Sequence, residues 1–464
     1  MPNFGGNRSY LLVDIGEHIG QVALDPSDQH MSILVWAAIM IVFVVAVVFV
    51  KKLPVQYALM VGPFIIALLM GYSVPETVDF FLAQFNGTMK SAGLMIVFSI
   101  LYFGLLTETG FFSTVGNAVF RLTKGKMNIY AVMAMTVILT AIGMLTATIG
   151  TAYLVVFPLM LPFYERMKFD KKAALVIVTC TAAAMCFLPW GIGMAINASF
   201  ANVDVMELCS KVIPITVVFI PVIVLEVIYF GIRHKKQGGI MKMELNAEEL
   251  DALCNAGSDA PTRRPKMFVP NAIVFLASMA TLVLGIPTYI VFMFSTLLTL
   301  LINYSDPKVA GPIVARLSGT VMGILIMLVG VSMFVGIFNG SGMVAELGTT
   351  LAAACPAFLV RYFHLILLAF AVIVCRFIPY QFYNSMLPLF ASVGGAIGMN
   401  TAAVIAPFVN NLALATGSSP MTATTYIATG LLDLDVNEYA KLAVPVQTVA
   451  NIIIILAGVV FGLM

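Results

Sequence analysis

The chain has 464 residues, of which 61% are hydrophobic and only 10% charged, with a formal net charge of +2. Soluble domains carry about 25% charged residues, so a soluble fold of this composition could not cover its surface, and the near-neutral balance gives no sign of a nucleic-acid partner. One membrane span needs about 20 apolar residues, and stretches of 56 (Phe377–Leu432), 38 (Met127–Tyr164), 31 (Ala173–Val203) and 29 (Leu317–Ala345) residues hold no Asp, Glu, Lys or Arg, so the chain reads as an all-α polytopic membrane protein.

In chain order, residues 1–30 form a polar N-terminal segment carrying Asp14, Glu17, Asp25 and Asp28 against one Arg8, unlike a signal peptide. The apolar stretch Met31–Val50 then meets Lys51 and Lys52 and reads as a retained span. Hydropathy gives ten full crossings: 31–50, 54–73, 91–109, 173–203, 212–232, 267–285, 287–304, 317–340, 400–430 and 442–463. Two further segments, 127–164 and 357–395, are long enough to enter the membrane, turn and return. Their midpoints are rich in polar, small, Gly or Pro residues, and both read as re-entrant hairpins, which require protein or a water-filled cavity to satisfy their backbone. With residue 1 outside, nineteen of the 24 basic residues fall on the inner side, as the positive-inside rule demands. Only Arg8, Lys90, Lys211, Arg361 and Arg376 do not.

The polar stretch 233–266, with Gly238, Gly239 and Pro261, is a cytoplasmic linker that divides the chain into halves 31–232 and 267–464. The halves resemble each other at a shift of about 231. Leu101–Phe112 (LYFGLLTETGFF) matches Met333–Val344 (MFVGIFNGSGMV), Thr151–Met160 matches Gln381–Phe390, and Pro189 falls opposite Pro420. Five crossings and one hairpin per half is an odd number of crossings, so the second half inserts upside down. An inverted repeat of this kind is the architecture of secondary transporters.

Four stretches break the helix rules. They are Thr146–Thr151 at the first hairpin tip, Leu188–Gly193 with Asn197, Pro379–Ser385 at the second tip, and Thr416–Thr425. Pro and Gly free backbone groups there; half-helix N-termini favour an anion and freed carbonyls a cation. The candidate substrate site is therefore Thr148, Gly150, Thr151, Asn197, Gln381, Asn384, Ser385, Ser418, Ser419 and Thr422, with Arg376 as a carboxylate clamp. Thr146, Gly191 and Thr424 are candidate contacts of a coupling cation. Glu226 reads as snorkelling to the inner face, with proton carriage as the alternative. Six scattered cysteines without a CxxC pair (180, 186, 209, 254, 355, 375) read as small apolar packing. An intramembrane metalloprotease would need a cluster such as HExxH; the four histidines (18, 30, 234, 364) are scattered, and no P-loop is present. No resident cofactor is expected.

LYFGLLTETGFF, GTAYLVVFPLMLPFYERM (150–167), FLPWG (187–191) and SSPMTATTYIATGL (418–431) together resemble the citrate–metal:proton symporter family of the ion transporter superfamily. The resemblance runs from about residue 30 to the C-terminus. It implies a scaffold domain and a transport domain with two opposed hairpins, commonly a homodimer in the plasma (inner) membrane, moving by elevator-type alternating access. It further implies symport of a small organic anion such as citrate or another di- or tricarboxylate, coupled to protons or sodium, with a divalent metal as co-substrate. The family pattern at the first tip is like Gly-Asp-Gly-Thr-Thr-Thr-Tyr; here it is Ala-Thr-Ile-Gly-Thr-Ala-Tyr, so Thr148 stands at the acidic position. The second tip, with Gln381, Asn384 and Ser385, is less aromatic and less Gly-rich than the family's. Organic-anion symport therefore carries over more firmly than a citrate–metal complex. A cation/proton antiporter of the same superfamily is the alternative, although that chemistry wants midplane carboxylates that neither tip supplies.

Overall fold

The computed structural model describes residues 33–43, 46, 55–122, 126–146, 148–244, 261–354 and 356–464. The N-terminal segment 1–30, Lys51, Lys52, Ala147, Cys355 and the linker residues 245–260, including Cys254, lie outside the described residues. Among the described residues the secondary structure is helical except for one two-stranded ribbon.

The first half opens with α1 (Ile33–Phe43), α2 (Val55–Leu69) and α3 (Val74–Thr88). Hydropathy leaves the α3 segment between two crossings. It is helical because Ser73 and Glu76 form a capping box, with Ser73 N donating to Glu76 Oε2 at 2.8 Å, and Pro75 occupies the first turn. A π-helical turn, Met89–Gly93, joins α3 to α4 (Leu94–Glu108), and α5 (Phe111–Leu122) follows. α6 (Ile129–Met144) and α7 (Ile149–Met167) pack as a hairpin. Gly143 permits the contact, since a Cβ there would sit 2.9 Å from Ala152 Cα. α8 (Lys171–Ala184) ends in a 3₁₀ turn, breaks at 188–191 and resumes as α9 (Ile192–Ala201), bent by 55°. α10 (Val205–Lys236) closes the half. β1 (Lys126–Asn128) pairs antiparallel with β2 (Lys242–Glu244) just beyond it.

The second half runs α11 (Phe268–Val283), α12 (Thr288–Asn303), α13 (Pro307–Gly340) and α14 (Met343–Ala354). α15 (Ala357–Ala369), the short α16 (Ala371–Val374) and α17 (Gln381–Ala396) make up the second hairpin segment. α18 (Thr401–Gly417) breaks and resumes as α19 (Ala423–Leu432), and α20 (Val436–Val460) ends the chain.

Four described helices are long and apolar enough to cross a membrane, or up to six if each of two bent pairs is one span. Hydropathy gives ten; several of those stretches form apolar helices of 10–17 residues, among them Gln56–Leu69, Thr288–Asn303 and Thr401–Gly417, and Gly and Pro breaks divide 173–203 and 400–430. Local geometry recurs at an offset of 231–232 residues. Gly110 and Gly342 both turn at φ +80, and Asn202 and Asp433 are left-handed C-caps with φ 53 and 54. Asp204 and Asp435 then cap α10 and α20 in the same way, each accepting from the backbone N–H groups two and three residues on.

The helices pack as two groups. α2 and α3 pack on α13, α4 on α12, and α12 on α11; Arg316 of α13 forms an ion pair with Glu108 at the end of α4. The two hairpin segments, both broken spans, α10 and α20 pack together in the other. α10 shows the environment these helices expect: Ile213, Val217, Ile220, Val224 and Ile228 are exposed, an apolar face suited to lipid.

Candidate functional site

A cavity of about 500 Å³ lies where the four breaks meet. Four helices begin at its wall. Thr148 is the N-cap of α7, Gly191 of α9, Tyr380 of α17 and Thr422 of α19, and all four line the cavity. Thr148 Oγ1 accepts from Thr151 N at 3.4 Å and donates to Thr151 Oγ1 at 2.6 Å. The N-termini of α9, α17 and α19 have no side-chain cap. A helix start leaves backbone N–H groups without intrahelical partners, and its end carries roughly half a positive charge. Uncapped starts around a cavity inside an apolar protein are therefore suited to an anionic ligand.

Two buried amides complete the polar lining. Asn197 Nδ2 donates to Gly193 O at 2.8 Å, and its Oδ1 is buried without a hydrogen-bond partner. Asn384 Oδ1 is likewise buried and unpartnered. Among the described residues, no Asp, Glu, Lys, Arg or His lines the cavity. Met144, Leu154, Met185, Met194, Val409 and Leu412 supply apolar wall.

At its break, each broken span is tied to its hairpin segment by a hydrogen bond. Trp190 Nε1 donates to Leu145 O at 3.1 Å in the first half, and Ser419 Oγ donates to Cys375 O in the second. Trp190 also stacks on Phe103 at 5.7 Å and meets Phe292 edge-on at 5.6 Å, so it bridges the two helix groups.

Of the residues singled out in the sequence, Thr148, Gly150, Thr151, Asn197, Asn384 and Thr422 converge on the cavity, with Gly191 and Thr424. Gln381, Ser385, Ser418, Ser419, Thr146 and Arg376 are not in its lining. Three of the hydroxyls are turned back onto their own helices: Ser385 onto Phe382 O (2.8 Å), Ser418 onto Leu414 O (3.0 Å) and Thr146 onto Gly143 O (2.8 Å). Gln381 Oε1 is buried without a partner. The Arg376 guanidinium lies 5.9 Å from the centre of the Phe377 ring. Sequence reasoning missed Thr320 of α13, whose Ser318-Gly319-Thr320 stretch does not interrupt the helix, and Tyr380, whose role is to begin α17. It also gave Glu226 the wrong surroundings: the side chain is buried at 5% exposure instead of snorkelling. A second cavity, of about 510 Å³, lies between α3, the α9–α10 turn and the α11–α12 turn, contains none of the cavity-lining helix starts above, and has the exposed Lys90 at its edge.

The profile of a family described as citrate transporter matches residues 35–430. Two relatives come from Bacillus subtilis (strain 168). A citrate transporter is 24% identical over 437 residues, 91% of this chain and 98% of that protein. A Mg(2+)/citrate complex secondary transporter is 24% identical over 430 residues, 91% of this chain and 96% of that protein. Among solved structures, the YdaH transporter of Alcanivorax borkumensis superposes with a TM-score of 0.57 at 13% identity, covering 82% of this chain and 88% of that one. MtrF of Neisseria gonorrhoeae, from a class of antimetabolite efflux pumps, superposes with a TM-score of 0.57 at 14% identity, covering 91% and 93%. These two likenesses concern the fold alone.

Proposed function

Since the chain belongs to the citrate transporter family, we propose that it is a secondary carrier that moves citrate or a similar di- or tricarboxylate through the cavity between its broken helices. The family and the relatives are transporters, so the protein is a transporter and not an enzyme, and its apolar helices make it a multi-pass integral membrane protein. The observation that carries the substrate class is the convergence of four helix N-termini on one cavity with no charged side chain.

Charge then constrains the form of the substrate. Four helix starts contribute roughly +2 in total, less than the charge of fully ionised citrate. The substrate is therefore taken up partly neutralised, by protons or as a complex with a divalent cation. The relative that carries a Mg(2+)/citrate complex supports the second form. Thr148 at the family's acidic position favours the first, because its hydroxyl brings no charge to meet a metal. Within this reading, Thr148, Gly150, Thr151, Asn197, Asn384 and Thr422 contact substrate, while Gly191 and Thr424, at the positive starts of α9 and α19, are not assigned to a coupling cation. Arg376, outside the lining, is not assigned to the substrate.

The finer architecture belongs to the same proposal. The paired turns, caps and hairpin ties, recurring at offsets of 229–232 residues, support an inverted repeat of halves 31–232 and 267–464 joined by the linker 233–266. The two packing groups support a scaffold and a moving transport unit, hence symport by elevator-type alternating access, in a homodimer of the plasma membrane. The test is uptake of labelled citrate, succinate and related acids into proteoliposomes, with inward proton or sodium gradients and with or without Mg²⁺. Accumulation of a di- or tricarboxylate driven by one of the gradients is the expected result. No uptake of any carboxylate under any gradient would overturn the reading.

A further inference from the structure

We propose that Glu226 is the group that takes up and releases the coupling proton, a role that rests on the carrier reading above. Glu226 lies inside α10, seven residues and so about 10 Å before Arg233 along the helix axis. The exposed face of α10 is apolar, but Glu226 turns inward and is 5% exposed. Both carboxylate oxygens are buried without a hydrogen-bond partner.

The groups that face it are the Cys180 thiol of α8, the Gln447 amide of α20 and, at longer range, the Tyr439 hydroxyl of α20. None is a cation. Of the basic groups on these helices, Arg233 pairs with Asp170 at 3.4 Å, Lys171 with Glu165 at 3.0 Å and Lys441 with Glu438 at 2.5 Å, and Lys172 lies eight residues, about 12 Å along α8, from Cys180. α9 and α18, which also pack on α10, carry no ionisable side chain facing it, and α6 brings the Tyr130 ring against Gly231, a turn and a half away.

The local hydrogen bonding is short of donors: the Cys180 thiol is a weak one, and the Gln447 amide is already in use. Gln447 Nε2 donates to Val176 O at 3.0 Å, and Gln447 Oε1 is buried without a partner. A carboxylate at 226 would therefore gather three acceptor oxygens inside the membrane with only a weak thiol donor to share, and with an uncompensated charge. One proton on the carboxyl removes the charge and supplies a donor. Glu226 is thus stable in this conformation as the neutral acid, and ionises only when a rearrangement brings water to it. That is the behaviour of a proton carrier: the O–H bond forms with a proton from water on one side and breaks to return it to water on the other.

A hydroxyl chain connects this region to the cavity. Thr179, next to Cys180, donates to the Tyr439 hydroxyl at 3.1 Å, and Tyr439 donates to Gly417 O at 3.1 Å. Gly417 ends α18 at the break whose Thr416 and Thr422 line the cavity. Occupancy of the cavity and the surroundings of Glu226 therefore share one contiguous set of groups.

The test uses the full chain in proteoliposomes holding a pH-sensitive dye. An inward gradient of about one pH unit can drive about tenfold accumulation per proton. Wild type should show gradient-driven citrate uptake with acidification of the lumen. Glu226→Gln should lose both while citrate counterflow, which needs no net proton movement, persists. Gradient-driven uptake and acidification at wild-type levels in Glu226→Gln would overturn the proposal. If that variant does not fold, Glu226→Asp serves: the pH midpoint of uptake should move, and an unchanged midpoint overturns the proposal equally. Absence of counterflow in the wild type would instead strike the carrier reading itself.

Discussion

The indole N–H of Trp190 donates to the carbonyl of Leu145 at 3.1 Å, fastening the break in the α8–α9 span to the tip of the first hairpin. The bond joins two places where the backbone has left the helix, and so holds the wall of the cavity in register. Trp190→Phe keeps an aromatic ring against Phe103 and Phe292 but removes the donor. Thermal unfolding in detergent should show a loss of about 1 kcal/mol, together with weaker citrate-dependent stabilisation.

Close approach within that hairpin depends on Gly143. Gly143→Ala would push a Cβ to 2.9 Å from Ala152 Cα and should cost about 1–3 kcal/mol by overpacking. Gly193→Ala is the control, since a Cβ there meets nothing within 4 Å. Its melting temperature should stay at or above that of wild type.

The cavity amides should separate stability from function. Asn384 and Asn197 each leave a buried Oδ1 without a partner, so Asn384→Leu and Asn197→Leu remove an unsatisfied group and should leave the apo protein as stable or more so. Each should weaken citrate binding roughly 10- to 100-fold, the worth of a hydrogen bond to a charged group. Titration of the thermal shift against citrate reads both effects from one sample.

Thr148→Asp tests the charge argument. Asp caps a helix as well as Thr does, so α7 should survive. The added negative charge should depress uptake of metal-free citrate more than uptake measured with Mg²⁺. Equal loss in both conditions would count against a charge-selective cavity.

Much of this was legible in the sequence, and the reasons for the rest are physical. Gly and Pro clustered with hydroxyls announced the breaks at 146–151, 188–193, 379–385 and 416–425, whereas single prolines such as Pro214, Pro221 and Pro445 stay inside helices. The facing of each hydroxyl was not legible. Ser385, Ser418 and Thr146 satisfy themselves on carbonyls three or four residues back, while Thr422 lines the cavity, and tertiary packing decides between these fates. α3 was missed because its fifteen residues mix charge with apolar groups, and its capping box is a local signal that hydropathy averages away. Arg376 was legible as an intramembrane cation but not as one outside the cavity. Arg376→Gln should accordingly keep its citrate-dependent thermal shift, and loss of that shift would return Arg376 to the site.

The claim that citrate is held among these helix starts is tested most directly by counterflow of labelled citrate in proteoliposomes, comparing wild type with Gly193→Leu. Gly193 lines the cavity and has open space beside it, so a leucine there fills the cavity with little strain on the backbone. The account predicts rapid counterflow in the wild type and its loss in a folded Gly193→Leu protein. Undiminished counterflow in that variant would contradict it.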